Sequence, residues 1–284
     1  MSPADTLSLT ATDGHRFEAA LYRAARAEAP LLLFLPALGT PARVYRGFAA
    51  ALAGQGVHVC VPDWRGVGGS SLRGPRADDP RAPGLVETDA AAVMDALASR
   101  FPGAPLWVGG HSLGGQLSTL VAARQPDRVH GVLLLASGSV FLGCYASRLQ
   151  RGIRALGLLS SVTGAVLGYF PGQRLGFGGR EARGVMRDWL HVAHTGRYEP
   201  ARASFDYEAA LARLALPVLA LNFQADTWAP EAAARYLLDK LPRCQRDAWH
   251  WGAADTGGRA LDHFSWTKQP HEVVPRLAAW LLSH

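Results

Sequence analysis

A serine with glycine two residues to either side, in Gly110-His111-Ser112-Leu113-Gly114, sits where a short apolar run meets a helical pattern. This junction constrains the fold more than any other stretch. Leu106, Trp107 and Val108 read as a buried strand, and 116–124 reads as a helix with Leu117, Leu120 and Val121 on one face. A strand that turns directly into a helix brings the two backbones close, so the positions two before and two after the turn residue must be small. Gly110 and Gly114 meet that demand. The spacing is that of a nucleophile elbow, a strained turn that projects the serine Oγ. The following helix aims its N-terminal N–H groups at the serine, which favours the oxyanion of an attacked carbonyl. Leu113 supplies one of those groups.

The rest of the chain supplies the sheet that such an elbow needs. Residues 6–10 and 17–22 alternate as two strands around the turn Asp13-Gly14, which predicts an antiparallel hairpin. The runs 31–35, 57–61 and 132–135 are continuously apolar, as strands covered on both faces are. Helical patterns at 42–53, with Tyr45, Phe48, Ala49 and Leu52 as the buried face, and at 86–101 separate them. Between 137 and 215 the rhythm breaks: no clear strand stands out from 140 to 214, and helical patches occur at 145–159 and 181–192. It resumes with a strand at 216–223, a helix at 231–241 after Pro230, a strand at 245–249 and a helix at 273–282. The expected class is α/β: a mostly parallel central sheet with helices on both faces and a helical cap insertion. Residues 1–136 and 216–284 form the two parts of the core, and 137–215 the cap.

Composition narrows the function classes. With 49% hydrophobic and 18% charged residues, a chain of 284 residues buries a sizeable core. Of 29 basic residues only Lys240 and Lys268 are lysines, leaving 27 arginines against 23 acids. From 137 to 216 there are ten arginines and five acids, so +5 of the net charge of +6 is local to the cap. No dense basic run occurs, and no nucleic-acid partner is expected. In the cap, Leu156, Leu158, Leu159, Val166 and Leu167 accompany Arg148, Arg151 and Arg154. That mixture suits an acyl chain with an anionic end, or weak contact with a membrane surface.

Cys60, Cys144 and Cys244 are widely spaced without a C-x-x-C pair, which disfavours a disulfide scaffold or a zinc site and fits a reducing compartment. His191 and His194 share a helix face without a third ligand, so no metal is expected. The glycine-rich loop 66–70 lacks the lysine of a phosphate-binding loop, and no cofactor is expected. The first fifteen residues show no signal-peptide pattern. The apolar, uncharged stretch 155–170 is 16 residues with three glycines, below the roughly 20 that a membrane span requires. A soluble cytoplasmic protein with a small-molecule acyl substrate is the expectation.

A serine hydroxyl becomes a useful nucleophile when a histidine takes its proton and an acid holds that histidine's tautomer. In parallel sheets such groups gather in loops beyond the carboxyl ends of the strands. Asp226 follows the strand ending at Phe223, and His263 lies in Asp262-His263-Phe264 before the last helix. The two are 37 residues apart, and His250, His271, Asp255 and Asp262 stand as competitors. The second oxyanion donor is expected from the turn after Leu35, at the backbone N–H of Leu38, beside that of Leu113.

These residues together resemble the serine-nucleophile branch of the α/β-hydrolase fold superfamily, which holds esterases, lipases and S33-type peptidases. Pro36-Ala37-Leu38-Gly39, Asp63-Trp64-Arg65-Gly66-Val67-Gly68-Gly69-Ser70, Gly110 through Gln116, Tyr169-Phe170-Pro171-Gly172 and Asp262-His263-Phe264 carry the resemblance, which spans essentially the full length. More narrowly they are similar to a group of bacterial α/β-hydrolases without an assigned substrate. A departure is Pro36-Ala37 where His-Gly is common after the third strand. The resemblance implies serine-dependent hydrolysis without identifying the acyl group; with Ser112, Asp226 and His263 in the order serine, acid, histidine, cleavage of a carboxylic ester or thioester is the leading expectation. Acyl transfer, S33-like peptide hydrolysis and non-catalytic ligand binding are the alternatives on the same fold.

Overall fold

A computed structural model describes residues 5–70, 81–174, 179–201 and 203–284. The polar, Pro-rich stretch after Ser70 lies largely outside the described residues. In chain order the first elements are β1 (Asp5–Thr10), β2 (Arg16–Tyr22), β3 (Leu31–Leu35), α1 (Arg46–Gly54), β4 (His58–Pro62) and α2 (Ala90–Arg100). There follow β5 (Leu106–His111), α3 (Leu113–Arg124) and β6 (Gly131–Leu135), then α4 (Ser147–Leu167), β7 (Tyr169–Pro171), β8 (Arg180–Ala182), α5 (Arg183–Thr195) and α6 (Tyr207–Arg213). The chain closes with β9 (Pro217–Phe223), α7 (Glu231–Leu238), β10 (Gln245–Trp251) and α8 (Pro270–Ser283).

Eight strands form one sheet in the order β1-β2-β4-β3-β5-β6-β9-β10. Pairing is antiparallel from β1 through β2 to β4 and parallel from β4 onward. Side chains alternate across this sheet into two cores, as the period-2 pleat dictates. Leu31, Leu33, Val132 and Leu134 pack with Leu97 of α2 and Leu117 of α3 on one face. Leu32, Phe34, Leu133 and Leu135 pack with Phe48 of α1 and Leu277 of α8 on the other. Each such side chain contributes about 1.5–3 kcal/mol on full burial, which explains why these strands are apolar at every position. The architecture is the expected α/β class with helices on both faces.

The segment between β6 and β9 departs from its reading in two ways. First, 140–214 was expected to lack strands, yet β7 and β8 pair antiparallel there, Phe170 opposite Glu181; strands of three residues are too short for alternation to show. Second, α4 continues to Leu167, well past the predicted end at 159. Gly157 and Gly164 look like helix breakers, but they lie on the buried face, where α4 and α5 meet. A Cβ at 157 would approach Leu190 Cδ2 to 2.6 Å, and one at 164 would approach Arg183 Cγ to 3.0 Å. The helix stops at Gly168, where φ is 82°. α6 also went unpredicted; its mark is Asp206, whose side chain accepts from the Ala209 N–H at 2.9 Å as an N-cap. Among the described residues no helix is long and apolar enough to cross a membrane.

Candidate active site

Ser112 lies between β5 and α3 with φ 53° and ψ −118°. A positive φ costs a non-glycine residue on the order of 1–3 kcal/mol, so the surroundings must hold it. They do so through the Ser112 N–H to Leu135 O (3.3 Å) and through its carbonyl, which accepts from Ser137 Oγ at 2.7 Å and Gly115 N–H at 3.1 Å. The flanking glycines are a steric requirement. A Cβ at 110 would collide with the Gly114 carbonyl, and one at 114 with the Leu35 carbonyl.

His263 and Asp226, 37 residues apart, meet across the loops that follow β10 and β9. His263 Nδ1 is 2.8 Å from Asp226 Oδ2, with both residues buried. The other carboxylate oxygen, Oδ1, accepts from the N–H groups of Trp228 (2.8 Å) and Ala229 (2.9 Å). Asn222 steadies that turn by donating to the carbonyls of Ala229 and Ser137. The His263 carbonyl accepts from Trp266 Nε1 at 3.0 Å. Trp266 is fully buried against Phe34, Phe48 and Tyr45, so the histidine loop is anchored in the second core.

The competitors are placed elsewhere. Asp262 accepts from the Phe264 and Ser265 N–H groups and shapes the turn that carries His263. Asp255 accepts from Gly252 N–H, and His271 lies by Glu272. His250 sits on β10 opposite Asn222. His191 lies by Glu199 and His194 by Leu190 O, and no His/Cys/Asp/Glu cluster suited to a metal occurs among the described residues.

Ser112, His263, Leu38 and Leu113 line one cavity of about 230 Å³. Val140, Tyr145, Ile153, Trp189 and Trp228 complete its apolar side, so α4 and α5 each contribute a wall. Trp228 and Phe264, 45% and 46% exposed, mark its open side. Of the apolar α4 residues expected to meet an acyl chain, Leu158 and Val166 instead face outward, 69% and 64% exposed. They share that outer face with Arg148, Arg151 and Arg154.

The loop bearing Leu38 is held by residues that the sequence reading left out of the site. Tyr45 Oη accepts from Ala37 N–H at 2.9 Å and donates to His111 Nδ1 at 2.9 Å. Burial, then the nearby His263 charge, hold the His111 imidazole well below its ordinary range, so it stays neutral and can accept. Trp64 Nε1 donates to Pro36 O at 2.9 Å, and Asp63 Oδ1 accepts from Ala42 N–H at 2.7 Å. These struts serve where His-Gly is missing, and with Ala37 N–H engaged, Leu38 N–H is the next donor along the loop. Glu181 on β8 presses on Gly39, where a Cβ would collide with its carboxylate. Burial pushes that carboxyl up to about 7 against the pull of the Gly179 N–H. The Asp63-Trp64 pair after an apolar strand was the visible signal for two of these residues.

Residues 26–162, just under half the chain, match the family described as serine aminopeptidase, S33. No curated protein matches by sequence. Among solved structures, DcsB in complex with its substrate analogue is similar at 14% identity and TM-score 0.68, covering 98% of both chains. An esterase from Thermogutta terrifontis, malate bound, is 18% identical at TM-score 0.64 over 99% of both chains. A monoacylglycerol lipase from Paleococcus ferrophilus is 20% identical at TM-score 0.62 over 94% of this chain and 99% of that one. At these identities the likeness is one of fold.

Proposed function

The chain carries the α/β-hydrolase fold, and from that premise we propose that it is a serine hydrolase cleaving a carboxylic ester or thioester. His263 Nε2 takes the Ser112 proton as Oγ attacks the acyl carbon, and the tetrahedral oxyanion forms between the N–H groups of Leu38 and Leu113. The proton then passes from His263 to the leaving group. Water activated by the same imidazole releases the acyl group from Ser112. Asp226, held by two backbone N–H groups, keeps the proton on His263 Nδ1 and stabilises the imidazolium. The observation that carries this reading is the 2.8 Å contact of His263 with Asp226 beside a serine in a strained elbow, both facing one cavity.

Ester cleavage is favoured over aminopeptidase action by the cavity walls. Their described residues are apolar apart from Ser112, Tyr145 and His263, with no carboxylate to receive a peptide's ammonium group. Acyl transfer uses the same residues and differs only in the acceptor. The decisive experiment is Ser112→Ala, with fluorophosphonate labelling and hydrolysis of p-nitrophenyl butyrate as readouts. Both are expected to vanish; wild-type turnover surviving the change refutes the assignment. A correctly folded wild type that neither labels nor hydrolyses supports a non-catalytic binding role instead.

The outer face of α4 extends the reading. This helix has three arginines in its first half, exposed Leu158, Val162 and Val166 beyond them, and no acidic residue. That pairing of positive charge with apolar surface suits an anionic lipid surface, from which ester substrates would be drawn. The three free cysteines are in keeping with a reducing, cytoplasmic setting.

A further inference from the structure

Beside the cavity at Ser112 lies a second, narrower one of about 30 Å³. The two share Leu113 and Trp189 as walls. Leu85, Leu117, Leu120, Val185 and Val192 make the second space apolar. Most of the polar atoms beside it are engaged by other protein groups. Tyr198 Oη donates to Gln116 Oε1 at 3.1 Å. The Asp188 carboxylate accepts from the Ala82 and Ala201 N–H groups at 3.1 and 3.2 Å and pairs with Arg81 at 3.4 Å. A space of this size admits a water molecule, but a buried water needs two to four polar partners. With the polar groups so engaged, the space suits methylene groups instead.

We propose that this second space is the distal end of an acyl-chain subsite, and that the Trp189 indole, standing between it and Ser112, sets the acyl length the protein accepts. The inference rests on the reading of Ser112 as the acylated nucleophile. Leu113 follows Ser112 directly, so an acyl chain leaving the serine along α3 meets this partition first. Trp189 is 8% exposed and belongs to α5, whose neighbours Val185 and Val192 line the far space, so one helix carries both the partition and the wall behind it. The 230 Å³ in front of the partition is below the roughly 300–1,000 Å³ usual for drug-sized ligands, which fits a short acyl group. The ligand class is a short, unbranched acyl chain, lengthened when the partition is removed.

The test is a series of p-nitrophenyl esters from acetate to decanoate on wild type, Trp189→Ala, the milder Trp189→Phe, and Trp189→Ala combined with Val185→Phe to refill the far space. Wild type is expected to favour the short esters. In Trp189→Ala the octanoate-to-butyrate ratio of kcat/KM should rise at least tenfold, since each seated methylene is worth about fourfold. Trp189→Phe should lie between, and the refilled double variant should return toward wild type. A ratio unchanged in both Trp189 variants, or a gain that persists after refilling, overturns the proposal. Calorimetric binding of butyrate and decanoate to the same proteins reads the subsite without catalysis. If nothing turns over but Trp189→Ala gains affinity for decanoate over butyrate, the subsite stands and the hydrolase reading falls. If neither readout moves, the subsite falls alone.

Discussion

Replacing Glu181 by glutamine tests the packing of β8 against the Leu38 loop. Glu181 is 6% exposed, accepts from the Gly179 N–H and lies over Gly39. Burial raises its carboxyl from 4.5 to about 7. The folded pKa therefore exceeds the unfolded one, so the folded state holds this proton more tightly. The favourable contribution is complete below about pH 4.5 and is lost progressively as pH rises to about 7. At about 1.4 kcal/mol per decade, the whole effect is about 3 kcal/mol. Glutamine keeps the acceptor for Gly179 and cannot ionise, while every other group titrates alike in both proteins. The stability of Glu181→Gln relative to wild type should accordingly rise by about 2–3 kcal/mol between pH 5 and pH 8.5. Urea unfolding at a series of pH values, compared through midpoint and slope, measures it. A difference that stays flat across that range, or that shrinks with pH, refutes the argument that this carboxylate is buried against the loop.

Under the proposed mechanism, Asp226→Asn removes the charge assigned to fixing the His263 tautomer and should lower kcat by about 10³–10⁴-fold with little change in KM; a loss under about tenfold would mean another acid serves His263. The α4 face predicts co-sedimentation with phosphatidylglycerol vesicles but not phosphatidylcholine vesicles, weakened at molar salt. Replacing Arg148, Arg151 and Arg154 by glutamine should abolish it. Binding that ignores lipid charge, or a dimer broken by Leu158→Glu, assigns that face to a different partner.

The parallel sheet was legible because its signals are local. Leu31–Leu35 and Gly131–Leu135 are apolar at nearly every position since both faces are covered, and the elbow was legible because only glycine fits at 110 and 114. The inserted segment was read poorly for the converse reason. Gly157 and Gly164 have the composition of breakers, and only the proximity of Leu190 and Arg183 turns them into packing positions. Glu181 carried no signal, because a lone glutamate in an arginine-rich stretch reads as a solvated charge until Gly39 is seen beneath it.

By itself the sequence determined a strand, a glycine-flanked serine and a helix in direct succession, and the chain order of Ser112, Asp226 and His263. Those features follow from short-range sterics and burial period, which depend only on neighbours along the chain. The tertiary structure decided which carboxylate reaches His263, that Tyr45 and His111 brace the loop of Leu38, and that Trp189 rather than Leu158 faces the cavity. Those depend on strand order and on how α4 and α5 cross, which bring together residues tens of positions apart.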